Sequence, residues 1–270
     1  MRTVLLACFA LLLLPGQGIA SICHAFAERG TQVAGIGPVA WEAPVVDIIF
    51  VGHSTFRIET PEGVVINTDY NGANGPGGLP DVVTMNHAHG THYTDNPDPG
   101  IEHVLRGWNP SGDGPAEHRL EVGDVTIRNV TTDIRRFGGE KDGNSIFVFE
   151  VADLCIAHLG HLHHPLDDGH YAALGRIDVL MVPVDGTYTM AVGEMVEIAK
   201  RLKSSIVLTM HAFGRSSLQR FVAGMADSFA VREHPADVLP VSIETLPAEP
   251  TVVVMPPARY KRREDLRWPG

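Results

Sequence analysis

The stretch VVTMNHAHGTHYTDNP, residues 82–97, places His87, His89 and His92 within six residues of one another. Two further groups follow, His158 and His161 in IAHLGHLHH and His211 in VLTMHAFG. Neutral imidazole nitrogens gathered from separate chain segments make a site for zinc or another borderline transition metal. Imidazole does not select a single ion, so iron, manganese and copper stay open beside zinc. Three histidines after an apolar run are costly to bury unless each ring has a partner. His163, His164 and His170 lie near the second group without an evident partner. His24, His103, His118 and His234 are isolated and read as surface or internally satisfied residues.

The elements that must position these rings are short apolar runs bounded by turn residues. Val45–Val51, Thr55–Thr60, Val64–Ile66 and Asp81–Asn86 read as strands, and Gly72–Pro80 is a glycine- and proline-rich loop. Leu120–Val130 alternates around Gly123-Asp124 like a hairpin. Ser145–Glu150, Leu154–Ala157, Asp178–Val184 and Ser205–Met210 are further strands. Three of these strands run into histidines. Where the backbone stays extended, His87 and His89 project to the same side, and a turn can bring His92 round to join them. Val192, Met195, Val196, Ala199 and Leu202 recur at helical spacing, and Leu218–Phe229 gives a second helix. Strands in both halves with helices concentrated in the second predict an α/β protein with layered sheets.

The first twenty of the 270 residues read as an address: Arg2, an apolar run from Val4 to Leu14, then Gly18-Ile19-Ala20 before Ser21. Export to the periplasm or beyond the cell is expected, with signal cleavage before Ser21 and no stable membrane insertion afterwards. The run is too short to span a bilayer. Residues 21–270 then form one domain with a short tail from about residue 256. With Arg2 removed from the 21 Lys and Arg, 20 basic residues face 32 acidic ones. That balance argues against nucleic acid or anionic lipid as a general partner and leaves a small-molecule substrate. Cys23 and Cys155 could pair in an oxidising compartment, but spacing alone does not show that they meet.

The segments FVGHSTFRIETPEGVVINTDY, VVTMNHAHGTH, IAHLGHLHHPL, VPVDGTYTM and VLTMHAFG, in this order, resemble the metallo-β-lactamase superfamily. They are most similar to its branch of ascorbate-6-phosphate lactonase-like and broadly named metal-dependent hydrolases. The resemblance covers about Val45 to Gly214 and implies a four-layer αββα sandwich with a metal site at the edge between two sheets. It implies a three-histidine metal position from His87, His89 and His158 and a second position using His92 and His211. Asp69 in NTDY matches an aspartate that orients the ligands from behind.

Two departures stand out. Thr91 occupies the place of the family's aspartate between the histidines, and His161 that of its second, metal-bridging aspartate. Two divalent ions among neutral imidazoles are poorly compensated, so the expectation is one firmly held metal and a weaker second one with His161 as a terminal ligand. The implied chemistry is hydrolysis of an ester, lactone, amide or phosphodiester by metal-activated water. The Thr91 hydroxyl can position water but is a poor base; Asp95 and Asp133 are alternative proton acceptors, and Tyr188 is a substrate-facing candidate. The rival reading is a metal-binding accessory protein of the cell envelope on the same fold.

Overall fold

The computed structural model describes residues 21–24, 43–135 and 139–258. The expected signal segment and the basic cluster around Arg262 lie outside these residues. A first sheet of six strands has the order β13-β1-β2-β3-β4-β5, built from β1 (Val46–Gly52), β2 (Thr55–Glu59), β3 (Val65–Asn67), β4 (Val82–Met85), β5 (His103–Arg106) and the late strand β13 (Val238–Val241). A second sheet has eight strands in the order β12-β14-β11-β10-β9-β8-β7-β6. They are β6 (Arg119–Val122), β7 (Val125–Ile134), β8 (Glu140–Val151), β9 (Leu154–His158), β10 (Val179–Pro183), β11 (Ile206–Met210), β12 (Ala230–Glu233) and β14 (Thr251–Val254). Both sheets are mixed: β1 to β3 pair antiparallel and β3 to β5 parallel, while β6 to β9 pair antiparallel and β9 to β11 parallel.

The two-residue period of a strand sorts the side chains into layers. In β8 and β9, Phe147, Phe149, Leu154 and Ile156 face the first sheet, where they meet Ile48, Phe50, Phe56 and Ile58. Ile146, Val148, Cys155 and Ala157 face the other way, onto α1 (Asp168–Leu174), α2 (Val192–Leu202) and α3 (Arg215–Met225). The packed-sheet expectation therefore holds. Among the described residues the helices join only this second core, and the outer face of the first sheet is covered by loops carrying Tyr70, Tyr93, Ile101 and Trp108. Helix α3 begins and ends earlier than its apolar pattern. The Ser228 and Phe229 amides both donate to the Met225 carbonyl, a turn that folds Phe229 back into the core.

Cys23 and Cys155 form a disulfide with a Cα–Cα distance of 5.9 Å, which decides the pairing the sequence left open. Beside it, Glu150 accepts from Ser21 Oγ at 2.6 Å, the Ile22 amide at 3.1 Å and Arg128 Nε at 2.7 Å. Segment 21–24 is thus fixed at the β8–β9 turn. Strand β9 runs from this staple to the opposite edge of the sandwich, where His158 ends it.

Candidate metal centre

Parallel strands deliver their C-terminal ends to one edge, so β9, β10 and β11 lead there to His161, Asp185 and His211. From the first sheet come the β1–β2 turn with His53, the residue pair after β3 with Asp69, and the β4 exit with His89 and His92. His53, Asp69 and His211 all have positive φ (55°, 43° and 53°), a conformation uncommon outside glycine that tends to be kept where function requires it. The His211 amide donates to the His53 carbonyl at 2.6 Å and joins the two halves of the site.

Gly160 locks the same edge. A Cβ there would meet Asn86 Nδ2 at 2.4 Å and Asn144 Oδ1 at 2.5 Å. Asn86 donates to Asp69 Oδ1 at 2.8 Å and accepts from the Ser145 amide, while Asn144 Oδ1 accepts from the His161 amide at 2.7 Å. The two asparagines brace one sheet against the other through the space a side chain would fill.

His89, His92, His161 and His211 converge, one nitrogen from each lying within 4.8 Å of the others. Nε2 of His89 is 3.1 Å from Nε2 of His161, and Nε2 of His211 is 3.0 Å from Nε2 of His92. Four nitrogens around a zinc ion at about 2.0–2.1 Å would be spaced by roughly 3.3 Å, so these separations suit a tetrahedral donor set. The outward nitrogens are all engaged. His92 Nδ1 donates to Asp69 Oδ2 at 2.6 Å and His211 Nδ1 to Asp185 Oδ1 at 3.0 Å. His89 Nδ1 donates to Thr91 Oγ1 at 2.8 Å, and the Thr91 hydroxyl donates onward to His53 Nε2 at 3.0 Å.

These bonds fix the protons. With Nδ1–H facing a carboxylate on both His92 and His211, the two Nε2 atoms meet across 3.0 Å, an arrangement that attracts only with a cation between them, a proton or a metal ion. His161 differs. The Arg135 amide donates to His163 Nδ1 at 2.5 Å, so His163 carries its proton on Nε2 and donates it to His161 Nδ1 at 2.6 Å. His161 therefore keeps its own proton on the inner nitrogen, directed at His89. Three lone pairs stand ready, and the fourth becomes available when His161 gives up that proton.

Burial depresses the basicity of the histidines around the cluster. His161 is pushed down to about 2, first by burial and then by His92, His163, His211 and His89. His53 and His163 fall to about 4, in both cases chiefly by burial. Burial alone would raise both supporting carboxyls. The neighbouring His92 and His158 instead hold Asp69 well below the usual range, and hydrogen bonds from His211 and Thr189 do the same for Asp185. The two missing inner carboxylates are thus matched by two buried outer ones, which offset a divalent charge from behind the rings.

The structure separates the expected three-histidine position. Only His89 of that set lies in the cluster. The His87 backbone is held to Gly143, its Nδ1 contacts Glu140 Oε1 at 2.5 Å, and its ring stacks on Trp108. β4 ends at Met85, so the extended backbone needed to align His87 with His89 stops before either residue. His158 shares the inter-sheet face of Leu154 and Ile156; its Nε2 donates to the Ser54 carbonyl at 2.8 Å and its Nδ1 accepts from the Gly160 amide. Both of its nitrogens are occupied in the interior.

Thr91 and Asp69 touch the ligands as described. Asp95 is exposed, and Asp133 accepts the Asp142 amide at 2.9 Å. His163 supports His161, His164 is exposed, and His170 closes the capping box of α1 with Asp167, lining a cavity of about 730 Å³ distant from the cluster in its residues. Sequence reasoning missed His53 and Asp185. The signal for both is the strand-end position itself, at a hairpin turn for His53 and after β10 for Asp185.

The beta-lactamase superfamily domain matches residues 47–211, more than half of the chain. A UPF0173 metal-dependent hydrolase of Thermoplasma volcanium is 26% identical over 186 residues, covering 62% of this chain and 83% of the relative. The corresponding protein of Salinibacter ruber is 24% identical over 213 residues, covering 68% and 92%. A solved Thermotoga maritima structure, described as a candidate Zn-dependent hydrolase of the metallo-beta-lactamase superfamily, aligns with a TM-score of 0.56 at 29% identity over 78% of this chain and 98% of that one. CmlA, a diiron beta-hydroxylase from Streptomyces venezuelae, shares the fold alone, with a TM-score of 0.51 at 11% identity over 75% of this chain and 54% of its own. By the matched domain and the sandwich that carries the histidine cluster, this chain belongs to the metallo-β-lactamase superfamily.

Proposed function

We propose that this protein is an exported metal-dependent hydrolase that uses one metal, zinc by preference, held by His89, His92 and His211 with His161 as a conditional fourth ligand. The observation that carries the reading is the approach of His92 Nε2 to His211 Nε2 at 3.0 Å, with a buried carboxylate at Nδ1 of each ring. The relatives named as metal-dependent hydrolases support the same class. An all-imidazole set suits zinc, and it also suits iron, which the diiron neighbour on this fold uses. The disulfide at Cys23 supports a location outside the cytoplasm.

A divalent ion in such a site polarises a carbonyl or phosphoryl oxygen and makes water a stronger nucleophile. This chain's residues do the rest. Asp69 and Asp185 hold two imidazoles in the ligating tautomer. Thr91 links His89 to His53, which stays neutral with its Nε2 on the Thr91 hydroxyl. His161, standing where the family resemblance places an aspartate, holds a proton on the inner side of the cluster. Ester, lactone, amide and phosphodiester bonds of a small molecule fall within this chemistry.

A second reading rests on the number of rings. Four imidazoles complete a tetrahedral set, as in closed structural zinc sites, and favour a metal-binding accessory protein without turnover. Metal analysis of the purified protein with a hydrolase substrate panel separates the two. Hydrolase function predicts one metal per chain, turnover, and metal retained in His87→Ala and His161→Ala but lost in His211→Ala. Metal without turnover, with His161→Ala losing it as fully as His211→Ala, would establish the closed site. A metal-free chain would remove both.

A further inference from the structure

Six large apolar side chains are exposed among the described residues, and the two aromatic ones, Tyr188 at 63% and Phe213 at 58%, both border the histidine cluster. Their rings are 5.2 Å apart between centroids, tilted by 61°. Phe213 lies 4.9 Å from the His211 ring and 5.4 Å from His53, and Tyr188 lies 6.2 Å from His89. An exposed aromatic pair beside a reactive centre is the kind of apolar patch that marks a binding surface.

Tyr188 is held in place by the site itself. Asp185 Oδ2 accepts the Tyr188 amide at 2.5 Å, together with the amides of Thr187 and Thr189, and its Oδ1 accepts from His211. The carboxylate that orients a ligand therefore also fixes the turn that presents Tyr188. Phe213 follows two residues after His211 on the strand exit. The Tyr188 backbone is thus fixed before a substrate arrives, which lowers the cost of using its ring for recognition.

We propose that Tyr188 and Phe213 form a specificity subsite that seats an aromatic or apolar acyl group next to the metal, so that the substrate is a carboxylic ester, lactone or amide bearing such a group. Ring faces and edges attract planar and apolar groups, whereas recognition of a phosphodiester relies on cationic forks that neither side chain supplies. This assignment rests on the reading that the cluster holds a metal and acts on small molecules, and it narrows that reading from four bond types to the carboxylic ones.

Hydroxamates test it without requiring turnover, because their head group binds zinc and their tail can be varied. The zinc-loaded protein is titrated calorimetrically with acetohydroxamate and phenylacetohydroxamate. The phenyl compound is expected to bind about tenfold more tightly, the scale of one aromatic ring partly buried between two others. In the Tyr188→Ala/Phe213→Ala variant the two probes should bind within about twofold of each other, with acetohydroxamate affinity and zinc content unchanged. Equal binding of the probes to the wild-type protein, or a preference that survives in the double variant, would overturn the subsite and leave the metal reading intact. Failure of both probes to bind zinc-loaded wild-type protein would show a closed metal site and overturn the subsite, whereas a protein that takes up no zinc would overturn the metal reading and the subsite with it.

Discussion

Replacing Asp185 by Asn changes one atom and should weaken metal binding through a tautomer. In the native site Oδ2 accepts from the Thr187 amide at 2.8 Å, Thr187 Oγ1 at 3.0 Å, the Tyr188 amide at 2.5 Å and the Thr189 amide at 3.2 Å. Oδ1 accepts from Thr189 Oγ1 at 2.5 Å and His211 Nδ1 at 3.0 Å. An amide has one oxygen to offer. Turned with its NH2 toward the loop, it would face four donors; turned toward His211, it faces one ring proton and a hydroxyl that can rotate. The second orientation wins, and the NH2 then donates to His211 Nδ1. His211 answers by carrying its proton on Nε2, which removes the lone pair that faces His92. Loss of a supporting group of this kind costs about 10- to 100-fold in metal affinity, or about 1.4 to 2.7 kcal/mol. Removal of a negative charge behind the site acts in the same direction. Zinc dissociation constants from competition with a chromophoric chelator read the effect directly, and melting of the metal-free variant checks that it is folded. A folded variant that binds zinc as tightly as the wild type would refute the proton assignment.

Thr91→Val removes the hydroxyl that bridges His89 and His53, and zinc affinity should drop severalfold; Thr91→Asp, which restores a carboxylate at that place, should raise it, and an order of affinities other than Asp above Thr above Val would refute the role given to the hydroxyl. Cys23→Ser opens a loop closed across 132 residues, and stability should fall by about 2 to 5 kcal/mol in chemical denaturation; reductant should lower the wild-type midpoint and leave the variant unmoved. Burial alone would raise the Glu150 carboxyl, but hydrogen bonds from Ser21 and Arg128 hold it below the usual range. Its contribution to stability is therefore present above the unfolded-state pKa and lost as pH falls through the lower folded value. Glu150→Gln should flatten the stability curve on the acid side, and an unchanged acid slope would show that other carboxylates carry it.

Much of the scaffold was legible because apolar runs bounded by turn residues are short-range signals. Strands β1 to β4, the β6–β7 hairpin and helix α2 follow from them. The short strands β5, β12, β13 and β14 were not marked, since each owes its identity to pairing with strands supplied by the fold. At the site, the histidines after β4, β9 and β11 pointed to a metal, and three of the four members of the cluster came from the set assigned by resemblance to the weaker position. What could not be read was the rotation of each ring. His87 and His89 are two residues apart in either arrangement, and only the turn after Met85, together with Trp108 and Glu140, sends one ring outward. For His158 the parity of β9 was available: Leu154, Ile156 and His158 share a face, and that face is the core.

The four-histidine cluster takes two rings from each side of the sandwich, and their supporting residues come from the same two sides. His53, Asp69, His89 and His92 follow strands of the six-stranded sheet, and His161, Asp185 and His211 follow strands of the eight-stranded one. Ligands drawn from both sides of a seam act as a rivet, so occupancy and cohesion of the two sheets become one equilibrium. At free metal a hundredfold above its dissociation constant, the folded state gains about 2.7 kcal/mol from that linkage. Chelation of the protein would then do more than silence its chemistry. It would unfasten one edge of the sandwich, where the disulfide gives no hold because it ties segment 21–24 to β9 of the eight-stranded sheet alone.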